Sequence, residues 1–146
     1  MRFPRPSSLV VGLGLLASTA AGAERSYIGP RSAGADPPFS QAVRIGDTLY
    51  LSGTLGLTAD RKVPEDPATE ARSALDSVKK TLAEADMTMD DLVVVQVFCS
   101  DVALFDTWNA IYKGYFTKEY PARAFIGSGK LLFGARFEIQ GIAVKR

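Results

Sequence analysis

The stretch DLVVVQVFCS, residues 91–100, constrains the fold of this chain more than any other. Its length and its β-branched valines predict a strand buried on both sides. Helical patterns flank it in the chain. Upstream, Ala71, Ala74, Leu75, Val78, Leu82 and Ala85 recur at spacings of three and four, with Lys79 and Lys80 on the other face. Asp66 suits the cap of that helix, Pro67 its first position and Glu70 its first turn, and its end is expected near Asp86. Downstream, DVALFDTWNAIYKGYFTKEY carries Phe105, Trp108, Ile111, Tyr112, Tyr115 and Phe116 as an apolar stripe, and Pro121 stops it.

The other strands come from period-two patterns. In QAVRIGDTLYLSG, Val43 and Ile45 alternate with polar neighbours, Gly46-Asp47 turns the chain, and Leu49 and Leu51 resume the alternation. ARAFIGSG and ARFEIQGIAVK read as two more strands separated by KLLFG, and a short strand is expected near Ser26 to Ile28. The order ββ(β)αβαββ describes an α+β sandwich with two helices on one face of a sheet.

The first residues do not belong to that sandwich. MRFPRPSSLVVGLGLLASTAAGAE runs from Arg2 and Arg5 through an apolar stretch to the small residues Ala21-Gly22-Ala23. That is the order of a secretory signal peptide, with cleavage expected between Ala23 and Glu24 and export to the periplasm or beyond. The run is too short for a membrane anchor, so no membrane attachment is expected after cleavage. Residues 24–146 then form one domain. Of 17 basic side chains, removing Arg2 and Arg5 leaves 15 against 16 acidic ones, a net charge of −1. That balance offers no footprint for nucleic acid. Cys99, the only cysteine, cannot form an intrachain disulfide and reads as a small buried residue.

The chain has no histidine. Ser-His-Asp and Cys-His nucleophilic machinery and His-ligated zinc are thereby excluded, and one cysteine rules out thiolate metal clusters. IGSGKLL fails the phosphate-loop pattern, which needs Gly where Ala124 stands and Ser or Thr where Leu131 stands. Carboxylate, arginine, hydroxyl and backbone remain. Arg123 in PARAFIG and Glu138 in ARFEIQGIAV are charged residues within apolar strands. If the last two strands are neighbours, both side chains can reach one cleft. Arginine's planar fork then suits a ligand carboxylate, and glutamate can activate water. The spacing alone favours the alternative, a structural ion pair or two side chains facing solvent.

PFSQAVRIGDTLYLSGTLGL, DDLVVVQVFCSDVALFDTWNAIYKGYF and PARAFIGSGKLLFGARFEIQGIAV, in this order and spacing, resemble the Rid family of reactive-intermediate (enamine/imine) deaminases, the YjgF-like proteins. The resemblance extends from about Pro38 to Lys145. It implies a chorismate-mutase-like α+β fold and a homotrimer with its sites in clefts between subunits. It also implies hydrolysis of 2-imino or 2-enamino acids, such as 2-aminoacrylate, to 2-keto acids and ammonia, without metal or organic cofactor. By that resemblance Arg123 of the PAR motif holds the substrate carboxylate and Glu138 positions the attacking water. Ser52 of the SG turn and Asn109 of the second helix line the pocket, and Phe39 and Phe125 contribute to its walls.

Several positions depart from the family pattern. Phe39 replaces a usual tyrosine, Ala124 and Phe125 a usual Ser-Cys pair, Thr54 a common glutamine, and Gln140 a frequent second glutamate. The expected clamp and acid are kept in an altered, more apolar pocket. That points to a substrate other than 2-aminoacrylate or to a weaker activity. The alternative is a non-catalytic trimer binding small carboxylates or a protein partner.

Overall fold

The computed structural model describes residues 22–29 and 37–146. The expected signal segment lies outside these residues except for its last two positions. Six strands, β1 Arg25–Ile28, β2 Ala42–Ile45, β3 Thr48–Leu55, β4 Leu92–Cys99, β5 Ala122–Gly127 and β6 Phe137–Val144, form one sheet in the order β1-β2-β3-β6-β4-β5. The helices are α1 Pro67–Ala83 and α2 Phe105–Tyr112. Neighbouring strands are antiparallel except β4 and β5, which are parallel and joined through α2, as a parallel pair requires a crossover.

Local chemistry explains the element ends. Gly46, at φ 57°, supplies the left-handed residue that the β2–β3 turn needs. The Asp66 carboxylate accepts the Thr69 backbone N–H at 2.9 Å, and Pro67 opens α1. The helix stops at Ala83, somewhat before the expected end. Asp86 takes φ 55°, its N–H reaches Ala83 O, and Met87 N–H reaches Leu82 O at 2.9 Å, the paired closure of a left-handed cap. α2 is shorter than its apolar stripe. It tightens into a 3₁₀ turn over Lys113–Tyr115, where Gly114 is a poor helix former. The Thr117 N–H and hydroxyl then donate to Asp90.

α1 packs on β3 and β6 and against α2. Leu49, Leu75, Leu82, Val95, Val97, Trp108, Phe137 and Ile139 form the buried centre of that layer. Cys99 is buried there, its Sγ donating to Asp101 O, and burial pushes its thiol above the ordinary range. One expectation needs correction. Among the described residues β4 is covered on a single face: Val95, Val97 and Cys99 face the helices, whereas Val94 is 39% exposed. Both helices lie on the same side, so among the described residues no helix covers the other. That open face is nonetheless apolar. One registered row, Tyr27, Val43, Tyr50, Ile142, Val94 and Ala122, crosses all six strands.

Candidate functional site

A second correction concerns the two charged strand residues. β5 and β6 are not neighbours, because β4 lies between them. Arg123 is in register with Val95, on the helix-covered face, and Glu138 is in register with Phe98, on the open face. Side chains alternate along strands, so in one chain the guanidinium and the carboxylate stand on opposite surfaces. No ion pair joins them.

Arg123 projects from the edge strand toward α2. Its Cζ stands 4.7 Å from the centroid of the Tyr112 ring, 5.8 Å from Phe105 and 6.0 Å from Phe125. The Phe105 and Phe125 rings meet edge to face at 5.1 Å. Aromatic faces attract the cation without neutralising it. Among the described residues, no carboxylate pairs with it. Asn109 and Tyr112 on α2 and Lys113, the first residue of the following 3₁₀ turn, fall within one turn of each other. With Tyr120, Pro121 and Arg123 they line a cavity of about 290 Å³. Tyr112 is only 4% exposed, and its hydroxyl has no hydrogen-bond partner. Burial pushes its phenol up to about 12, against a smaller downward pull from the Arg123 charge, so it stays protonated at working pH.

The other cluster surrounds Glu138. A Cβ at Gly53 would overlap Glu138 Oε1, so glycine there makes room for the carboxylate. Ser52 Oγ donates to Ser40 O at 2.6 Å and ties the 37–40 segment to β3. Phe39, on that segment, is 60% exposed. Gln140, where a second family glutamate often lies, donates its amide to Gln96 Oε1 at 2.6 Å across the open face.

The start of β6 is anchored by a pair that sequence reasoning missed. Glu70, expected only as a first-turn acid, is fully buried. Its Oε2 accepts Arg136 Nε at 2.6 Å, and its Oε1 accepts the backbone N–H of Arg136 at 2.6 Å and of Phe137 at 3.1 Å. Arg136 also donates to the Glu65 and Pro64 carbonyls. Every oxygen of this buried carboxylate is satisfied, the condition under which such a pair is tolerated. It fixes the strand that carries Glu138.

The expected site residues thus separate into two groups. Arg123, Asn109 and Phe125 come together on the covered side, and Glu138 and Ser52 belong to β6 and β3, with Phe39 beside Ser40. Tyr112, Lys113 and Tyr120 were missed as pocket residues. For the first two the signal was present, since they follow Asn109 by three and four residues on one helix.

The family model described as Endoribonuclease L-PSP matches residues 31–145. The chain is 38% identical over 110 residues to the 2-iminobutanoate/2-iminopropanoate deaminase of Bos taurus, covering 74% of this chain and 80% of that protein. It is 34% identical over 113 residues to the protein of that name from Escherichia coli K12, covering 75% and 88%. Among solved structures, the YjgF gene product of E. coli superposes with TM-score 0.72 at 34% identity, over 77% of this chain and 91% of that one. E. coli TdcF with bound serine gives TM-score 0.75 at 29% identity, over 83% and 99%. The chain belongs to the Rid (YjgF-like) family, whose fold and order of motifs it shares.

Proposed function

We propose that this protein hydrolyses 2-imino or 2-enamino acids to 2-keto acids and ammonia, in clefts between copies of the chain assembled as a homotrimer. The observation that carries the reading is Arg123: a partly buried guanidinium beside a cavity, held among aromatic rings, with no carboxylate partner among the described residues. Such a fork calls for an anion from outside the chain. The deaminase names of relatives and the serine bound by TdcF agree with a small acid as that anion.

The opposite placement of Arg123 and Glu138 leaves each half of the chemistry incomplete in one chain. The open apolar face supports association, and a cleft between copies can set one copy's Arg123 opposite another copy's Glu138. There Arg123 holds the carboxylate of the imino acid by two parallel hydrogen bonds. Glu138 takes a proton from water as the water oxygen attacks the C=N carbon. Glu138 returns that proton to nitrogen, giving an amino alcohol; the hydroxyl proton then passes through Glu138 to the amine, the C–N bond breaks, ammonia leaves and the C=O bond forms. Imines are electrophilic already, so orientation supplies much of the acceleration. Residues 1–23, read as a signal peptide, direct this chemistry outside the cytoplasm; the amino terminus of the purified native protein checks that.

The test supplies an imino acid generated in situ by an amino-acid oxidase and follows keto-acid release above the spontaneous rate. The wild-type protein is expected to accelerate release, and Arg123→Ala to lose about a hundredfold. Equal rates for the two proteins would reject the reading.

A further inference from the structure

The Arg123 cavity holds a second cation. Lys113 lines it together with Arg123, no Asp or Glu does, and neither cation has an ion-pair partner among the described residues. A ligand with one carboxylate would match Arg123 and leave Lys113 opposite nothing. Beside them the Tyr112 hydroxyl is a buried donor left without an acceptor. Two positive charges without ion-pair partners around one small cavity make a receptor for two anionic groups. The volume of about 290 Å³ suits a small ligand rather than a bulky one.

We propose that this cavity selects a dicarboxylic ligand: a short 2-imino diacid whose first carboxylate binds Arg123 and whose second is held by Lys113, making Lys113 a specificity-determining residue. The diacid rests on the deaminase reading for its imine carbon, but the two-cation receptor does not depend on turnover. An imine of this class adds water and loses ammonia to leave the corresponding 2-oxo diacid. The Phe125 ring stands 6.0 Å from Arg123 Cζ, outside the cavity lining, and Lys113 is exposed at the end of α2.

Calorimetric titration with 2-oxoglutarate and with 2-oxopentanoate isolates the second carboxylate, since the two have the same carbon chain. The full assembled protein is expected to bind 2-oxoglutarate about three- to tenfold more tightly. That ratio is expected to fall near one in Lys113→Met and below one in Lys113→Glu. Lys113 is exposed, so neither substitution threatens the fold, and a melting curve verifies this. A wild-type ratio near one, a ratio unmoved by Lys113→Met, or no binding of either acid overturns the proposal. Imines generated from glutamate and from norvaline separate the two readings. Lys113-dependent binding of 2-oxoglutarate with neither imine accelerated leaves the diacid receptor standing and removes the deaminase. Both imines accelerated alike, with a binding ratio of one, does the reverse.

Discussion

Both faces of the sheet carry apolar side chains but have different fates. On the covered face Val95, Val97, Ile139 and Phe137 are packed beneath α1 and α2, and Arg123 stands at the margin of that layer. On the open face Tyr50, Ile142 and Val94 line up in one register row, Phe98 pairs with Glu138 further along, and no helix among the described residues lies above them. The covered face holds a cation without an acid, and the open face an acid without a cation. The contrast teaches that β4 is apolar on both sides for different uses: one side builds the core, and the other is the face that the proposed assembly would join.

The sharpest way to break this contrast uses adjacent valines. Val95→Asp puts a charge into the fully buried layer and is expected to cost more than about 4 kcal/mol, leaving no folded protein by circular dichroism. Val94→Asp, one residue away on the other face, is expected to keep the fold and lower the mass seen by light scattering. If both variants unfold, or Val94→Asp leaves the mass unchanged, the two faces are not distinct in the way argued.

Next in size is complementation. Glu138→Ala is expected to lose about a hundredfold in turnover or more, as Arg123→Ala does. Unfolding the two variants together and refolding the mixture should restore roughly a quarter of the sites if each cleft takes its arginine and its glutamate from different copies. No recovery would place both groups in one chain's own site.

A smaller effect separates acid from clamp. In Gly53→Ala the added methyl meets the end of a flexible side chain, Glu138 Oε1, so the fold should survive while the carboxylate shifts. Turnover is expected to fall by about tenfold, with binding of a small keto acid at Arg123 largely kept. A parallel loss of both would mean that the two regions respond as one.

The smallest effect belongs to the covered side alone. Tyr112 and Tyr115 are both pushed from 10.0 to about 12, by burial first and, for Tyr115, also by its bond to Asp76. In the unfolded chain they ionise near 10.0, whereas the folded state keeps them neutral. Their contribution to stability is therefore complete below pH 10 and is lost as pH rises toward 12. Urea midpoints should decline across that window, and Tyr112→Phe should flatten the decline.

Much of the monomer was legible where local chemistry decides it. Asp66-Pro67 marks the start of α1, Gly46 marks the hairpin, and all six residues of the α1 stripe are buried. The insertion of β4 between β5 and β6 was not legible, because strand order is a long-range outcome that no local pattern encodes. Strand parity nevertheless held a usable clue. Arg123 shares its face with Phe125, whereas Glu138 alternates against Phe137 and Ile139, so two core-directed faces already implied opposition. Glu70 does sit in the first turn of α1, but its buried pairing was not legible because its partner Arg136 is distant in sequence.

The Gln96–Gln140 bridge has a consequence for any joint made by the open face. Only one donor and one acceptor are used between them, so the Gln96 amide nitrogen and the Gln140 carbonyl oxygen are available for another partner. An identical patch can answer both, and neither amide titrates. Contacts made through this seam should hold their strength from acid to alkali, leaving protons free to govern the chemistry without loosening the joint.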